Sequence, residues 1–357
     1  MTTFRPVPDA DRRRYRAILQ YAFSPQEGPL TDDPEESLVG PFDSYGVYAD
    51  DELVSTCKLY ELDAWIRDGY GPIGGLGAVA TPPEHRRNGY IRELCRGVLA
   101  EFESRGAGLV TLWPFETSFY ANLGWATANH VTRYECPPEV LPAHDAEGRM
   151  CQLSSGEWER LGPTERAHGE GLALSLRRSE RWWRERTLTN WTGGAEPYVY
   201  AYERDGEVAG YLTYSVADDE NETLTVDVLA YADEEAYRAV LSFLGTHGAQ
   251  IERVAFTRPE GAGLFDRVDE PERVDCEVHP GPMVRLTSVR AMEFYTIPGN
   301  LACTLVVTDP LAEEEGVYDL TVEDGDVSVT SGSNPASADA TVDVGTLTQL
   351  LVGTHGV

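Results

Sequence analysis

A chain of 357 residues, 41% of them hydrophobic, is long enough to bury more than one core, so two or three domains are expected. It carries 60 acidic against 29 basic residues, a net charge of −31, and Lys58 is its single lysine. That field excludes nucleic acid and anionic membrane surfaces as natural partners; no apolar run is long enough to span a membrane, and MTTFRPVPDADRRRYR does not read as a signal peptide.

Acid excess with almost no lysine resembles proteins from salt-accumulating halophiles. Seven Trp and eighteen Tyr, with clear hydrophobic periodicity, argue against disorder as its cause. In molar salt the Debye length falls to about 3 Å, so the charge reads as a solubility adaptation rather than a steering device. The six cysteines (Cys57, Cys95, Cys136, Cys151, Cys276, Cys303) are scattered without a CxxC pair, which points to reduced thiols in a cytoplasmic protein. The seven histidines show no HxH or HxxxH spacing, so no metal is expected.

In chain order, Pro8–Phe23 predicts a first helix with Tyr15, Ile18, Leu19 and Ala22 on its apolar side, followed by the polar segment SPQEGPLTDDPEES. Ser44–Ala49 and Leu53–Leu62 read as a hairpin turning at residues 50–52. The stretch from Gly74 to Arg105 then runs as a strand, a Pro-Pro turn, a basic corner and a helix with Ile91, Leu94, Cys95, Val98, Leu99 and Phe102 on one face. Leu109–Trp113 is a continuous apolar run, as in a buried strand, and PFETSFYANLGW leads through a short helix and a Gly turn to a last strand ending at Cys136.

A second unit begins near Leu153. SSGEWERLGPTERAHGEG and SLRRSERWWRER read as helices; Trp182 and Trp183 would pack between domains or line a substrate groove. Strands are expected at Tyr198–Glu203, Val208–Val216, Thr223–Ala230 and Ile251–Thr257, with a helix at Asp233–Thr246. The order strand–turn–helix–strand repeats that of the first unit, with ADEEAY in place of HRRNGY. Carboxylates stand where a pyrophosphate would need cations, so the second copy is expected to bind no cofactor. From about Pro282 short strands at Ala302–Thr308, Val317–Glu323 and Val327–Thr330, then a helix in GTLTQLLVGTHGV, form a third region, which Met283–Val289 joins to the core.

Chemistry concentrates at HRRNGY. The first N–H groups of a helix lack intrahelical partners, and the dipole's positive end lies there; Gly89 lets backbone approach a ligand, and arginines add charge-assisted hydrogen bonds. This outlines a pyrophosphate site, though a solvated basic turn would read the same way. HRRNGY after a VAT strand, with Arg92 in the helix start, resembles motif A of the GNAT N-acetyltransferases, loosely [RQ]-x-x-G-x-[GA]; Ile91 departs from its last position. With FYANLGW, the repeat and a tail similar to sterol carrier proteins, the whole chain resembles the Eis family of N-acetyltransferases.

The resemblance implies an α+β chain of tandem GNAT folds, mixed sheets flanked by helices, with a small sterol-carrier-protein-like domain: residues 1–137, 138–281 and 282–357. It implies acetyl-CoA as co-substrate, held by Val79, Ala80 and Thr81 along the pantetheine arm, by Arg86, Arg87, Asn88, Gly89, Tyr90, Ile91 and Arg92 at the pyrophosphate, and by Phe115 and Glu116 at the thioester end. Tyr120 corresponds to the family's general acid, although FYxxLGW is also a good core pattern. The terminal carboxylate, here Val357, would be the base; the tail is 40–50 residues shorter than the family leads one to expect, and Glu116, Glu35 and Glu36 are substitutes. The implied acceptor is a primary amine on a small molecule or peptide (an aminoglycoside, lysine or polyamine), acetylated by direct transfer in a ternary complex. The implied assembly is a homo-oligomer, a hexamer by analogy. A lipid- or partner-binding tail on an inherited scaffold is the alternative function.

Overall fold

The computed structural model describes residues 2–31, 40–190, 195–217, 222–259, 263–312, 316–332 and 334–353. Along the first part run β1 (Thr2–Pro6), α1 (Arg12–Phe23), β2 (Asp43–Ala49), β3 (Glu52–Ile66), β4 (Gly69–Ala80), α2 (Tyr90–Ser104), β5 (Leu109–Leu112), α3 (Thr117–Ala121) and β6 (Ala126–Thr127). Next come β7 (His130–Cys136), β8 (Arg149–Gln152), α4 (Gly162–Gly169), α5 (Glu180–Trp182), β9 (Tyr198–Arg204), β10 (Glu207–Val216), β11 (Thr223–Tyr231), α6 (Glu234–Gly245), β12 (Arg253–Pro259) and β13 (Asp275–Pro280). The chain continues through β14 (Met283–Leu286), β15 (Leu301–Thr308), β16 (Gly316–Glu323), β17 (Asp326–Ser331), β18 (Ala340–Asp343) and α7 (Val344–Val352).

Contacts divide the chain into two compact units, Met1–Ala128 with Pro282–Val357, and Asn129–Gly281. The first holds a seven-stranded sheet ordered β1-β2-β3-β4-β5-β14-β6 and a four-stranded sheet ordered β17-β16-β15-β18; the second holds a seven-stranded sheet ordered β13-β7-β12-β11-β10-β9-β8. This division differs from the expected boundary at residue 137. The strand His130–Cys136 pairs with β12 and β13, and its Tyr134 and Cys136 are buried in the second unit's core. Conversely β14, expected at the start of the tail, inserts between β5 and β6. Both are short strands, and nothing local says which sheet will take them.

In the first unit α2 lies across the sheet as its periodicity predicts, with Leu94, Cys95, Val98, Leu99 and Phe102 buried. Each such aliphatic or aromatic side chain contributes about 1.5–3 kcal/mol. A Cβ at Gly74 would lie 2.4 Å from the Phe102 ring, so the glycines of this strand let the helix sit close. The tail's helix α7 buries Val344, Leu347, Leu351 and Val352 and packs on β14 and β6. Leu286 N donates to Thr348 Oγ1 at 3.0 Å. Three strands were not expected: β1, in a stretch read only for targeting, β8 and β13; and α1 starts four residues later than Pro8, after a short 3-10 turn at Asp9–Asp11. Trp183 packs with Leu153, Leu161 and Tyr211 in a core cluster of the second unit. No described helix is long and apolar enough to cross a membrane.

The second unit carries a buried cation. Arg258 is 4% exposed; its Nη1 donates to Leu229 O at 2.9 Å and its Nη2 to Tyr231 Oη at 3.1 Å. His168 Nδ1 lies 3.2 Å from Tyr231 O and Nε2 3.3 Å from Arg258 Nη2, so the imidazole is neutral, donating from Nδ1 and accepting at Nε2. Burial, with the Arg258 charge, lowers its pKa to about 4 from 6.5. The unfolded chain then binds the extra proton at higher pH than the folded one. Stability from this group is full above about 6.5 and falls as pH drops toward 4. Urea midpoints at pH 7 and pH 4.5 should therefore separate more for the wild type than for His168→Gln; equal separations would show that His168 does not drive the acid limb.

Candidate active site

The basic corner is built by unusual backbone. Arg87 has φ 63° and Gly89, the N-cap of α2, has φ 79°, both left-handed. A non-glycine residue held there stores strain of order 1 kcal/mol, and such pairs of left- and right-handed residues curl successive N–H groups into an anion-binding concavity. The backbone N–H groups of Arg87, Asn88, Gly89, Tyr90 and Ile91 donate to no protein acceptor among the described residues; the first helical N–H to find one is Arg92, bonding to Gly89 O at 2.9 Å. A Cβ on Gly89 would meet nothing within 4 Å, so space lies open over the corner.

The side chains there differ in availability. Arg87 is exposed and has no partner among the described residues. Arg86 Nε donates to Thr81 O at 3.1 Å, tying the corner to the end of β4. Asn88 Nδ2 turns inward to His85 O and Arg86 O. Arg92 is committed to Pro310 O in the tail. Tyr90 and Ile91 are partly buried and pack against the apolar cluster, which accounts for an isoleucine where motif A has a small residue. His85 lies 3.2 Å from Glu52 and edge-on to Tyr90, as a turn residue.

Beside the corner the sheet opens. β4 and β5 pair in parallel only at Gly74–Val110 and Gly75–Thr111. Beyond them β4 bulges: its register against β3 slips between Thr56 and Lys58, and Ala78 has φ 50°. Bulges at sheet edges and active sites terminate pairing and re-aim the chain. The segment Val79–Thr81 thus keeps β3 on one side and has no β5 ladder on the other. Ser55 Oγ and Thr81 Oγ1 are 2.9 Å apart, and Ser55 Oγ donates to Ala80 O at 3.1 Å, fixing the strand end. At the mouth, Trp113 and Phe115 are 69% and 73% exposed, large apolar surfaces left to solvent where a ligand arm can lie. Sequence reasoning named Phe115 but read Trp113 only as the end of a buried strand.

Tyr120, in α3, is 4% exposed, packed edge-on against Phe115, Phe119 and Trp125. Its hydroxyl has no hydrogen-bond partner among the described residues, yet it is not among the side-chain polar atoms sealed from solvent. Burial, then the nearby Cys95 and Cys57, raise its pKa well above the ordinary phenol value. The hydroxyl is therefore within electrostatic reach of a thiol on α2 and one on β3 opposite the bulge. Both thiols are fully buried, and burial pushes Cys57 well up and Cys95 up to about 12. Neither is a thiolate near neutrality. Glu116 is the exposed N-cap residue of α3, its carboxylate accepting from Ser118 Oγ at 2.6 Å.

The structure brings the ends of β4 and β5, α2 and Tyr120 around one apolar cluster. Glu35, Glu36 and Val357 lie outside the described residues. Gly353 packs near Arg67, at the turn of the β3–β4 hairpin, where Arg67 caps the carbonyls of Leu350 and Leu351. Sequence reasoning also passed over a buried ion pair beside Tyr120's turn, Arg285 with Asp309; the charge inside the apolar run MVRL was the one readable signal. Among the described residues no group of three or more His, Cys, Asp or Glu could hold a metal.

At the repeated position in the second unit, Asp233 caps α6 with its own side chain, accepting from Ala236 N at 2.9 Å and pairing with Arg204. Its helix start is self-satisfied and anionic, the reverse of Gly89. In β12, two residues beyond the last pairing of β11 with β12 at Val226–Phe256, Arg258 reaches across to Leu229 O.

Comparison with known proteins finds three matches along the chain. A model described as an acetyltransferase (GNAT) domain matches residues 3–128, a second of that description matches 174–286, and a sterol carrier protein domain matches 289–357. A curated relative, an uncharacterized N-acetyltransferase of Streptomyces griseus, is 29% identical over 161 residues, 40% of this chain and 38% of the relative. This chain thus spans about two fifths of that relative's length. A GCN5-related N-acetyltransferase from Anabaena variabilis superposes with TM-score 0.80 at 17% identity, covering 98% of this chain and 89% of its own. Eis1 of Mycobacterium abscessus does so with TM-score 0.74 at 20% identity, covering 99% and 90%.

Proposed function

The chain belongs to the GNAT N-acetyltransferases, in the Eis-like arrangement of two GNAT domains and a sterol carrier protein domain, and on that premise we propose that it moves an acetyl group from acetyl-CoA to a primary amine by direct transfer. The observation that carries this reading is the first corner: five successive N–H groups, and the Arg87 guanidinium, without a partner among the described residues, next to a splayed strand end. GNAT domains generally use acetyl-CoA. The residues present fit it: the corner and Arg87 would hold a pyrophosphate, Val79–Thr81 would pair with an amide-bearing arm as an added strand, and Trp113 and Phe115 would cover it. When bound, it supplies an activated acetyl thioester.

The chain's own part is orientation and proton transfer. An N–H of the Val79–Thr81 segment faces the carbonyl oxygen and stabilises developing negative charge there. Tyr120, kept neutral by burial, delivers its proton to the departing sulfur and is restored, through solvent, by the second proton that the nitrogen sheds as the amide forms. Glu116, exposed beside Phe115, takes the proton of the incoming ammonium directly or through water; it is the candidate base among the described residues. The two protonated, buried cysteines favour direct transfer over a cysteinyl acyl-enzyme. All six cysteines are unpaired, which fits a reducing compartment.

Release of coenzyme A thiol, followed across aminoglycosides, polyamines, lysine and lysyl peptides at low and high salt, tests the reading. Turnover is expected with at least one primary amine and with no alcohol of the same skeleton. Silence across the panel, with no thermal shift from acetyl-CoA, would remove it.

A further inference from the structure

We propose that Asp309, acting through Arg285, is a positioning residue for Tyr120, so that the sterol-carrier region holds the acid and the cofactor helix in one register. The inference rests on the acetyltransfer reading above and on Tyr120 as its acid.

Arg285 stands in β14 and is 1% exposed. Its Nη2 reaches both Asp309 oxygens at 2.8 and 2.6 Å, and its Nη1 donates to Leu123 O at 2.6 Å; the guanidinium lies 5.4 Å from the Trp125 ring centre. Leu123 belongs to the turn that closes α3. The N–H groups of Leu123 and Trp125 both donate to Tyr120 O, at 2.9 and 3.1 Å, so the turn is wound around the tyrosine's own carbonyl. Gly124 has φ 88°, and a Cβ there would stand 1.9 Å from Arg285 Nη1. The guanidinium is thus seated against the backbone that sets where Tyr120 sits, and FYANLGW needs its glycine to admit it.

The other end of the pair is equally tied. Leu311 N donates to Asp309 Oδ1 at 2.8 Å, and Leu311 is buried in the cluster that contains Tyr120, Trp125 and Cys95. Two residues of α2 grip the same segment: Arg96 Nε donates to Leu311 O at 3.0 Å, and Arg92 donates to Pro310 O. Three consecutive tail residues therefore touch the helix that starts at the corner and, through one buried cation, the turn that fixes the acid. The carbonyl contact to Leu123 satisfies one of the guanidinium's buried donors and, by the same bond, ties the pair to the turn around Tyr120. Buried ion pairs are often replaceable by apolar residues without loss of stability, whereas small displacements of a catalytic group are costly in rate.

The test is a double-mutant cycle in the full chain, reading kcat, acetyl-CoA KM and melting temperature for wild type, Asp309→Asn, Asp309→Glu, Tyr120→Phe and Tyr120→Phe with Asp309→Asn. Asp309→Asn should lower kcat about tenfold with acetyl-CoA KM within about twofold, Asp309→Glu should recover part of the loss, and on the Tyr120→Phe background the Asp309→Asn effect should vanish. An equal fractional loss on both backgrounds, or full kcat in Asp309→Asn, overturns the positioning role while leaving acetyl transfer intact. Wild type without turnover overturns the acetyl-transfer reading and this inference with it. If Asp309→Asn does not fold, Arg96→Gln, which removes one donor to Leu311 O, should show a smaller kcat loss, again only when Tyr120 is present; a loss independent of Tyr120 overturns the proposal.

Discussion

Tyr120→Phe is expected to lower kcat by about 10²–10³-fold, within the roughly 10²–10⁴-fold that a positioned general acid contributes, while leaving the KM for acetyl-CoA within about twofold. The substitution removes one oxygen from a ring that is otherwise packed by Phe115, Phe119 and Trp125, so the fold should survive. Because the hydroxyl bonds to no described residue, its loss leaves no buried partner unsatisfied, and the melting temperature should move little. The residual rate reflects water as the proton source. The pH profile adds a second reading. Burial raises the Tyr120 pKa, so the acid form persists above pH 10, and wild-type kcat should not fall between pH 8 and 10 through this group. Steady-state thiol release measures both; full kcat in Tyr120→Phe would assign the acid elsewhere.

The second large effect concerns the corner. Arg87→Asn is expected to weaken acetyl-CoA binding about tenfold or more by calorimetry, with kcat at saturation nearly unchanged, since a hydrogen bond to a charged group is worth about 1.5–3 kcal/mol. Asparagine is the informative replacement. Arg87 sits at φ 63°, where alanine would add strain and confuse loss of charge with loss of backbone shape, whereas asparagine tolerates the left-handed region. Because Arg87 is exposed, the penalty should shrink as salt is raised. The same substitution at Arg92 should behave differently, since that guanidinium is already bonded to Pro310 O and its removal also loosens the tail segment. Unchanged affinity in Arg87→Asn would remove the phosphate role from this residue and leave it to the backbone N–H groups alone.

Much of this site was legible in the chain because it is local. The periodicity of residues 91–102 placed α2 and its buried face; the single glycine and paired arginines before it marked the corner; the repeat with ADEEAY predicted a second corner of opposite charge, now seen as a helix start capped by Asp233. Motif A, FYANLGW and the tail pattern carried the family. What the motif could not convey is how its cations divide: Arg87 faces solvent, Arg86 braces Thr81, and Arg92 belongs to the tail.

By itself, then, the sequence determined much of what depends on residues within a helix turn or a strand pair of one another: most of the elements, the apolar face of α2, the basic corner before it and the family. Tertiary structure alone decided which sheet takes β7 and which takes β14, where β4 and β5 part, and that Asp309 and Arg285 reach the turn beneath Tyr120. The reason is physical. A strand's hydrogen-bonding edge carries no address, and a buried arginine's need for a carboxylate is met by whichever acid the completed packing brings alongside it.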